Sequence, residues 1–160
     1  MTKIIHERVQ NERKSGILLH PTSLPGRYGI GDLGYELEEF ITFLYESNQK
    51  LWQILPLGPT GYADSPYQCF SAFAGNPMLI SPDKLIKEGL LDKNELDLPK
   101  RISDQKVNFG EIIPWKWNIL EEAFINFKKT TKDSLKKQYK MFVKQNDSIW
   151  LDNFAVFMSI

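Results

Sequence analysis

One cysteine, Cys69, and two histidines, His6 and His20, are the only Cys and His residues in these 160 positions. A single thiol makes no internal disulfide, and three such residues are too few for a Cys/His zinc constellation. Net charge is also missing. Twenty Lys+Arg balance twenty Asp+Glu, so there is no global electrostatic case for nucleic acid or for an acidic membrane surface. No stretch approaches the roughly 18 to 20 apolar residues of a membrane span. Met1 to Arg8 mixes charges and has no apolar core of a secretory leader. The expectation is a cytoplasmic protein with neither nucleic acid nor membrane as partner, and the free thiol agrees with it.

What is present is 42% hydrophobic and 25% charged, the composition of a globular chain. The length suits one domain and falls short of the roughly 250 residues of a complete (β/α)8 barrel. Residues 1–14 are polar and read as a tail or short helix. Ser15-Gly16-Ile17-Leu18-Leu19-His20 is a short apolar run that stops at Pro21 and reads as a strand. Residues 21–34 hold two prolines and four glycines, so they read as a loop.

A helix is predicted over 35–47, with Leu37, Phe40, Ile41, Phe43 and Leu44 at helical spacing and Glu36, Glu38 and Glu39 near its positive end. Lys50 to Leu57 reads as a second strand, giving one parallel βαβ unit. Residues 58–77 are a long connection rich in Gly, Pro and aromatics. A short helix is predicted from Asp83 to Leu91, then an irregular stretch over 92–111. Further helices are predicted to start near Pro114, near Thr131 and at Asp147. On the first of these, Trp115, Trp117, Leu120, Phe124 and Phe127 form the expected apolar face. The last is still periodic at Phe157 and Met158 with no stop signal. Two parallel strands make a poor sheet alone, so the expectation is the N-terminal piece of a longer chain.

Gly29-Ile30-Gly31-Asp32-Leu33-Gly34 matches the dinucleotide pattern, but Pro21 to Tyr28 separate it from the strand, where the fingerprint needs a tight turn. A Gly-rich loop entering a helix is the plainer reading. His20 ends the first strand, where α/β sheets place ligand sites; a hydrogen-bonded structural histidine is the alternative. Cys69 reads as a small buried thiol. The lysines at 128, 129, 132, 136, 137, 140 and 144 read as a solvated helix face. Loop 58–77 carries the strongest signal. It joins Tyr62 and Tyr67 to short polar groups, Thr60, Asp64, Ser65, Gln68 and Asn76, and has no basic residue. Neutral sugars want flat rings for their C–H faces and small polar groups for their hydroxyls, whereas phosphate wants cations or amide nests. Aromatics that only plug the core are the competing reading, and a non-catalytic carbohydrate-binding or interaction domain is the competing function.

The block from Ser15 to Gly26, then Tyr28-Gly29-Ile30-Gly31-Asp32-Leu33-Gly34, resembles the start of the amylomaltases, the 4-α-glucanotransferases or disproportionating enzymes. Closer still are Trp52-Gln53-Ile54-Leu55-Pro56-Leu57-Gly58-Pro59-Thr60-Gly61-Tyr62, Asp64-Ser65-Pro66-Tyr67-Gln68 and Phe70-Ser71-Ala72-Phe73-Ala74-Gly75-Asn76-Pro77. Trp115-Lys116-Trp117 and Trp150-Leu151-Asp152-Asn153-Phe154-Ala155 also look familial.

The resemblance implies an α/β fold: the first two strands of an incomplete (β/α)8 barrel over 15–80, followed by a mainly helical insertion over 81–160. It implies retaining transfer between α-1,4-glucans, by a nucleophilic carboxylate and an acid/base carboxylate about 5–5.5 Å apart. No motif here matches those carboxylates, so no catalytic residue is expected within these 160. Tyr67 matches the family tyrosine beside the sugar at the cleavage point, with Ser65, Asp64 and Gln68 on the same loop. Tyr62 matches a tyrosine of a second glucan site, whose partner aromatic is replaced here by Ile113-Pro114. The family implies no metal for chemistry and no organic cofactor.

Overall fold

The computed structural model describes residues 13–94, 96–98, 105–130 and 132–160. The reading of residues 1–14 as a tail therefore falls almost entirely outside it.

Strand β1, Gly16–Leu18, and strand β2, Leu51–Gln53, pair in parallel with Gly16 opposite Leu51 and Leu18 opposite Gln53. Helix α1, Tyr35–Glu46, connects them, which makes the βαβ unit the sequence predicts. Both strands are shorter than their apolar runs. Beyond Leu18 and Gln53 the chain turns to place Pro21 and Pro56, and proline cannot donate to a ladder. Trp52 ties the unit together: its indole N–H donates to the Leu19 carbonyl at 2.8 Å, and its ring meets Phe40 of α1 edge-on at 5.1 Å. The sheet has little cover, with Leu18, Leu51 and Ile54 all exposed.

Helix α2 covers Pro82–Lys87, one turn short of its predicted end, because Gly89 at φ 73° breaks the helical path. Helix α3 runs Phe109–Lys129 and begins five residues before Pro114. Interior proline costs a helix about 3 kcal/mol. Here the first turns are held by burial: Ile112 is fully buried with Ile30 and Met78, and Phe109 and Ile113 pack beside them.

The buried stripe of α3 also differs from the expected aromatic face. It consists of Ile112, Lys116, Ile119 and Ala123, while Trp117 and Phe124 are about half exposed. Spacings of 4, 3 and 4 put those four side chains on one side of the helix. Ile119 and Ala123 join Leu90 and Leu91 in a second core cluster.

Helix α4, Asp133–Asn146, passes through a widened π segment, Asp147–Leu151, into helix α5, Asp152–Ser159. The predicted new start at Asp147 is thus a bulge in a continuing helix. Asp147 closes α4 as its C-cap, its backbone N–H donating to the Val143 carbonyl, and the Trp150 indole N–H donates to Asn146 Oδ1 at 2.9 Å across the widened turn. Of the α4 lysines, Lys137, Lys140 and Lys144 are exposed and Lys136 is half-buried.

Candidate glucan-binding loop and a buried ion pair

Loop 58–77 leaves the C-terminal end of β2 and folds back on itself. Thr60 and Cys69 form an antiparallel bridge, Phe70 N–H donates to the Pro59 carbonyl at 3.1 Å, and Gly61 N–H donates to the Gln68 carbonyl at 3.2 Å. At its tip Gln68 N–H closes on the Ser65 carbonyl at 3.0 Å. Pro66 holds the second position of that turn, where its fixed φ suits a tight bend. Tyr67 therefore stands on the outside of the turn, 74% exposed.

The predicted residues Ser65, Tyr67 and Gln68 share this turn, and Asp64 immediately precedes it. Tyr62 lies in the short 3-10 segment Tyr62–Asp64, and its side chain is outside the described residues. Ala63 and Asp64 both take left-handed backbone, at φ 59° and 53°. For alanine that conformation costs about 1 kcal/mol or more, and strain of this kind concentrates at functional sites.

The loop aromatics divide into two groups. Phe73 stacks on Trp150 with centroids 6.1 Å apart, and Phe70 meets Phe157 at 6.1 Å. These two rings dock the loop on the π segment and α5. Among the described residues no ring contact involves Tyr67. Asn76 secures the base of the loop, its N–H donating to the Leu57 carbonyl at 2.7 Å and its Oδ1 accepting from Met78 N–H at 2.9 Å. Cys69 is half-buried, its thiol donating to the Pro66 carbonyl at 2.9 Å. A cavity of about 230 Å³ lies behind the turn, lined among others by His20, Thr22, Thr60, Asp64 and Asn76. A larger, more apolar one of about 310 Å³ separates the loop from α3 and α5; Asp64 lines that one too.

The glycine run at 29–34 serves packing. Gly34 precedes α1, and a side chain there would meet both Asp32 Oδ1 and Ser81 Oγ at 2.5 Å. Asp32 is 3% exposed and its Oδ2 lies 4.0 Å from Nζ of the fully buried Lys116. A carboxylate in this position is unsuited to a nucleotide phosphate. Among the described residues, Asp32 Oδ1, Ser81 Oγ and Lys116 Nζ have no hydrogen-bond partner. Burial pushes the Asp32 carboxyl up, opposed by Lys116; burial pulls the Lys116 ammonium down to about 8, opposed by Asp32. This pair, joining the glycine loop to α3, is absent from the sequence reading. Its available signal was a lysine on the Ile112, Ile119, Ala123 stripe between two tryptophans. Among the described residues no group of acidic, Cys and His side chains is arranged to hold a metal ion. No described helix is long and apolar enough to cross a membrane.

A strand-to-loop site rich in exposed rings and small polar groups, on a βαβ unit with a helical extension, defines a candidate sugar-binding α/β chain. Comparison with known proteins makes this specific. A family model described as 4-alpha-glucanotransferase matches residues 19–160, and the chain belongs to that family. It is 46% identical over 150 residues to a 4-alpha-glucanotransferase of Synechocystis, covering 94% of this chain and 30% of the relative. It is 45% identical over 148 residues to the Thermus thermophilus 4-alpha-glucanotransferase, covering 92% and 29%. A solved structure of Streptococcus agalactiae amylomaltase in complex with acarbose matches with TM-score 0.80 and 41% identity over 92% of this chain and 29% of that one. The chain thus spans about 30% of the length of these relatives, matching their N-terminal part.

Proposed function

We propose that these residues form the N-terminal part of a 4-α-glucanotransferase and supply one wall of its glucan site. Residues 15–80 are the start of its (β/α)8 barrel, and 81–160 a helical insertion. The exposed apolar strands Leu18 and Leu51 support this, since parallel strands are ordinarily covered on both faces. The reaction is retaining transfer of an α-1,4-glucan segment to the 4-hydroxyl of an acceptor glucan or glucose, in the cytoplasm, without metal or organic cofactor. The carboxylate that attacks the anomeric carbon and the one that serves as acid and then base come from outside these 160 residues.

The observation that carries the reading is the Ser65–Gln68 turn, which presents the Tyr67 ring to solvent at 74% exposure. An exposed aromatic ring offers a flat apolar surface to the C–H face of a sugar. Ser65, Asp64 and Gln68 stand beside it as hydroxyl partners, and Tyr62 belongs to a second glucan contact. Ring contact with the donor sugar restrains it as it flattens toward an oxocarbenium ion, so the contact strengthens in the transition state.

Maltotriose disproportionation, followed by product chromatography, tests the proposal. The complete transferase containing this segment is expected to form glucose and longer maltodextrins. The 160-residue chain alone is expected to form neither, because without the nucleophile the covalent route is gone. Robust turnover by the purified chain would refute this assignment.

A further inference from the structure

The neck of loop 58–77 is held by a histidine whose hydrogen bonds leave it one chemical form. His20 follows β1 and is 9% exposed. Its Nδ1 accepts from the Thr22 backbone N–H at 3.3 Å and lies 2.7 Å from the Thr22 hydroxyl. Its Nε2 lies 3.3 Å from the Pro56 carbonyl. A backbone N–H only donates and a carbonyl only accepts, so the ring that satisfies both backbone groups has a bare Nδ1, to which the Thr22 hydroxyl also donates, and a protonated Nε2. An imidazolium would set Nδ1–H against Thr22 N–H. Burial pulls the pKa of His20 below its ordinary value, opposed by its bond to Pro56. Among the described residues, the other titratable side chain lining the cavity beside it is Asp64.

Pro56 is two residues ahead of loop 58–77. The next carbonyl, that of Leu57, accepts from Asn76 N–H at 2.7 Å and closes the loop at its base. One imidazole thus joins the end of β1 to this base, while the cavity above it is rimmed by Asp64 and Pro66. We propose that His20 is a positioning residue for glucan transfer: as the neutral Nε2–H tautomer it clamps β1 to the neck of loop 58–77 and so fixes the turn that carries Tyr67. The inference rests on the proposed glucan role of that turn, and the clamp itself is measurable without activity.

The first arm uses this chain and nitrogen–proton correlation NMR of its imidazoles. His6 is the only other histidine, so a His6→Gln variant assigns the signals. His20 is expected to be the Nε2–H tautomer at pH 7 and to titrate below about 6.5. Backbone amides of Asp64, Ser65, Tyr67 and Gln68 should shift in His20→Phe and return toward the parent in His20→Gln, whose side-chain amide restores a donor to Pro56. An Nδ1–H tautomer, an imidazolium at pH 7, or unmoved loop amides in His20→Phe would overturn the clamp.

The second arm measures maltotriose transfer by the complete transferase. Misplacing a reacting group by about 1 Å costs on the order of 10²-fold. His20→Phe should therefore lower kcat by at least about 10-fold, with His20→Gln recovering most of the loss. A His20→Phe enzyme with parental kcat, or a Gln variant no better than Phe, would refute the positioning role. Absence of transfer by the parent would instead refute the proposed function, with the NMR arm still deciding the clamp.

Discussion

Replacing Lys116 by methionine should destabilise the chain far more than an ordinary lysine substitution, and replacing Asp32 together with it should undo much of the damage. The two charges stand 4.0 Å apart in a buried site. At an effective dielectric near 20, such a pair attracts by about 4 kcal/mol. Removing one partner leaves the other buried and unpaired, which costs about 3–5 kcal/mol. Lys116→Met and Asp32→Asn are each expected to lose that much stability. The double variant should lie within about 1–2 kcal/mol of the parent, because replacing a whole buried pair by uncharged groups is often neutral.

Urea unfolding followed by tryptophan fluorescence reads this directly, since Trp115 and Trp117 flank the lysine. The pH dependence has a definite sign. Lys116 is held at about 8 in the folded chain against an ordinary 10.5, so between those values the unfolded state binds more protons. Stability of the parent relative to the double variant should rise across that window by about 3 kcal/mol. Below pH 8 the lysine is protonated in both states and the penalty is fully present. Single variants within about 1 kcal/mol of the parent, or a strictly additive cycle, would show that the pair is not coupled.

Tyr67→Ala in the complete transferase should lower kcat by roughly 10²-fold, equivalent to about 2.7 kcal/mol, with Tyr67→Phe between it and the parent. A lowered Tm with unchanged kcat in the Ala variant would remove Tyr67 from the site. Ala63→Gly relieves a left-handed backbone at φ 59° and should stabilise the chain by about 0.5–1 kcal/mol, seen as a higher urea midpoint. A lower midpoint would show that the Ala63 methyl contributes packing that outweighs the strain.

Local signals were enough to identify the βαβ unit. Apolar runs ending at Pro21 and Pro56, with a 3.6-period segment between them, leave one economical arrangement, and the pairing of Gly16 with Leu51 bears it out. The same kind of signal marked loop 58–77 as the candidate sugar-binding segment, because its Gly, Pro and aromatic content is a property of contiguous residues. Which rings find a partner ring elsewhere in the fold and which does not was not a contiguous property. Phe70 and Phe73 find Phe157 and Trp150 some 80 positions along the chain, and Tyr67 is left outside by the turn that Pro66 forms.

Helix starts failed where distant partners outweighed local rules. Pro114 suggested a boundary, but burial of Ile112 against Ile30 and Met78 carries α3 back to Phe109. Asp147 looked like a helix start, but the chain continues through a π turn around the Asn146–Trp150 bond. The Asp32–Lys116 pair was hidden for the same reason. Both residues look like ordinary solvent-facing charges in sequence, and only the packing of the glycine loop against α3 takes them out of water together. Hydrophobic periodicity and turn chemistry are therefore set by neighbours in the chain, whereas burial of a charge, the outward aim of a ring and the long-range partner of His20 are set by residues that meet only after the chain has folded.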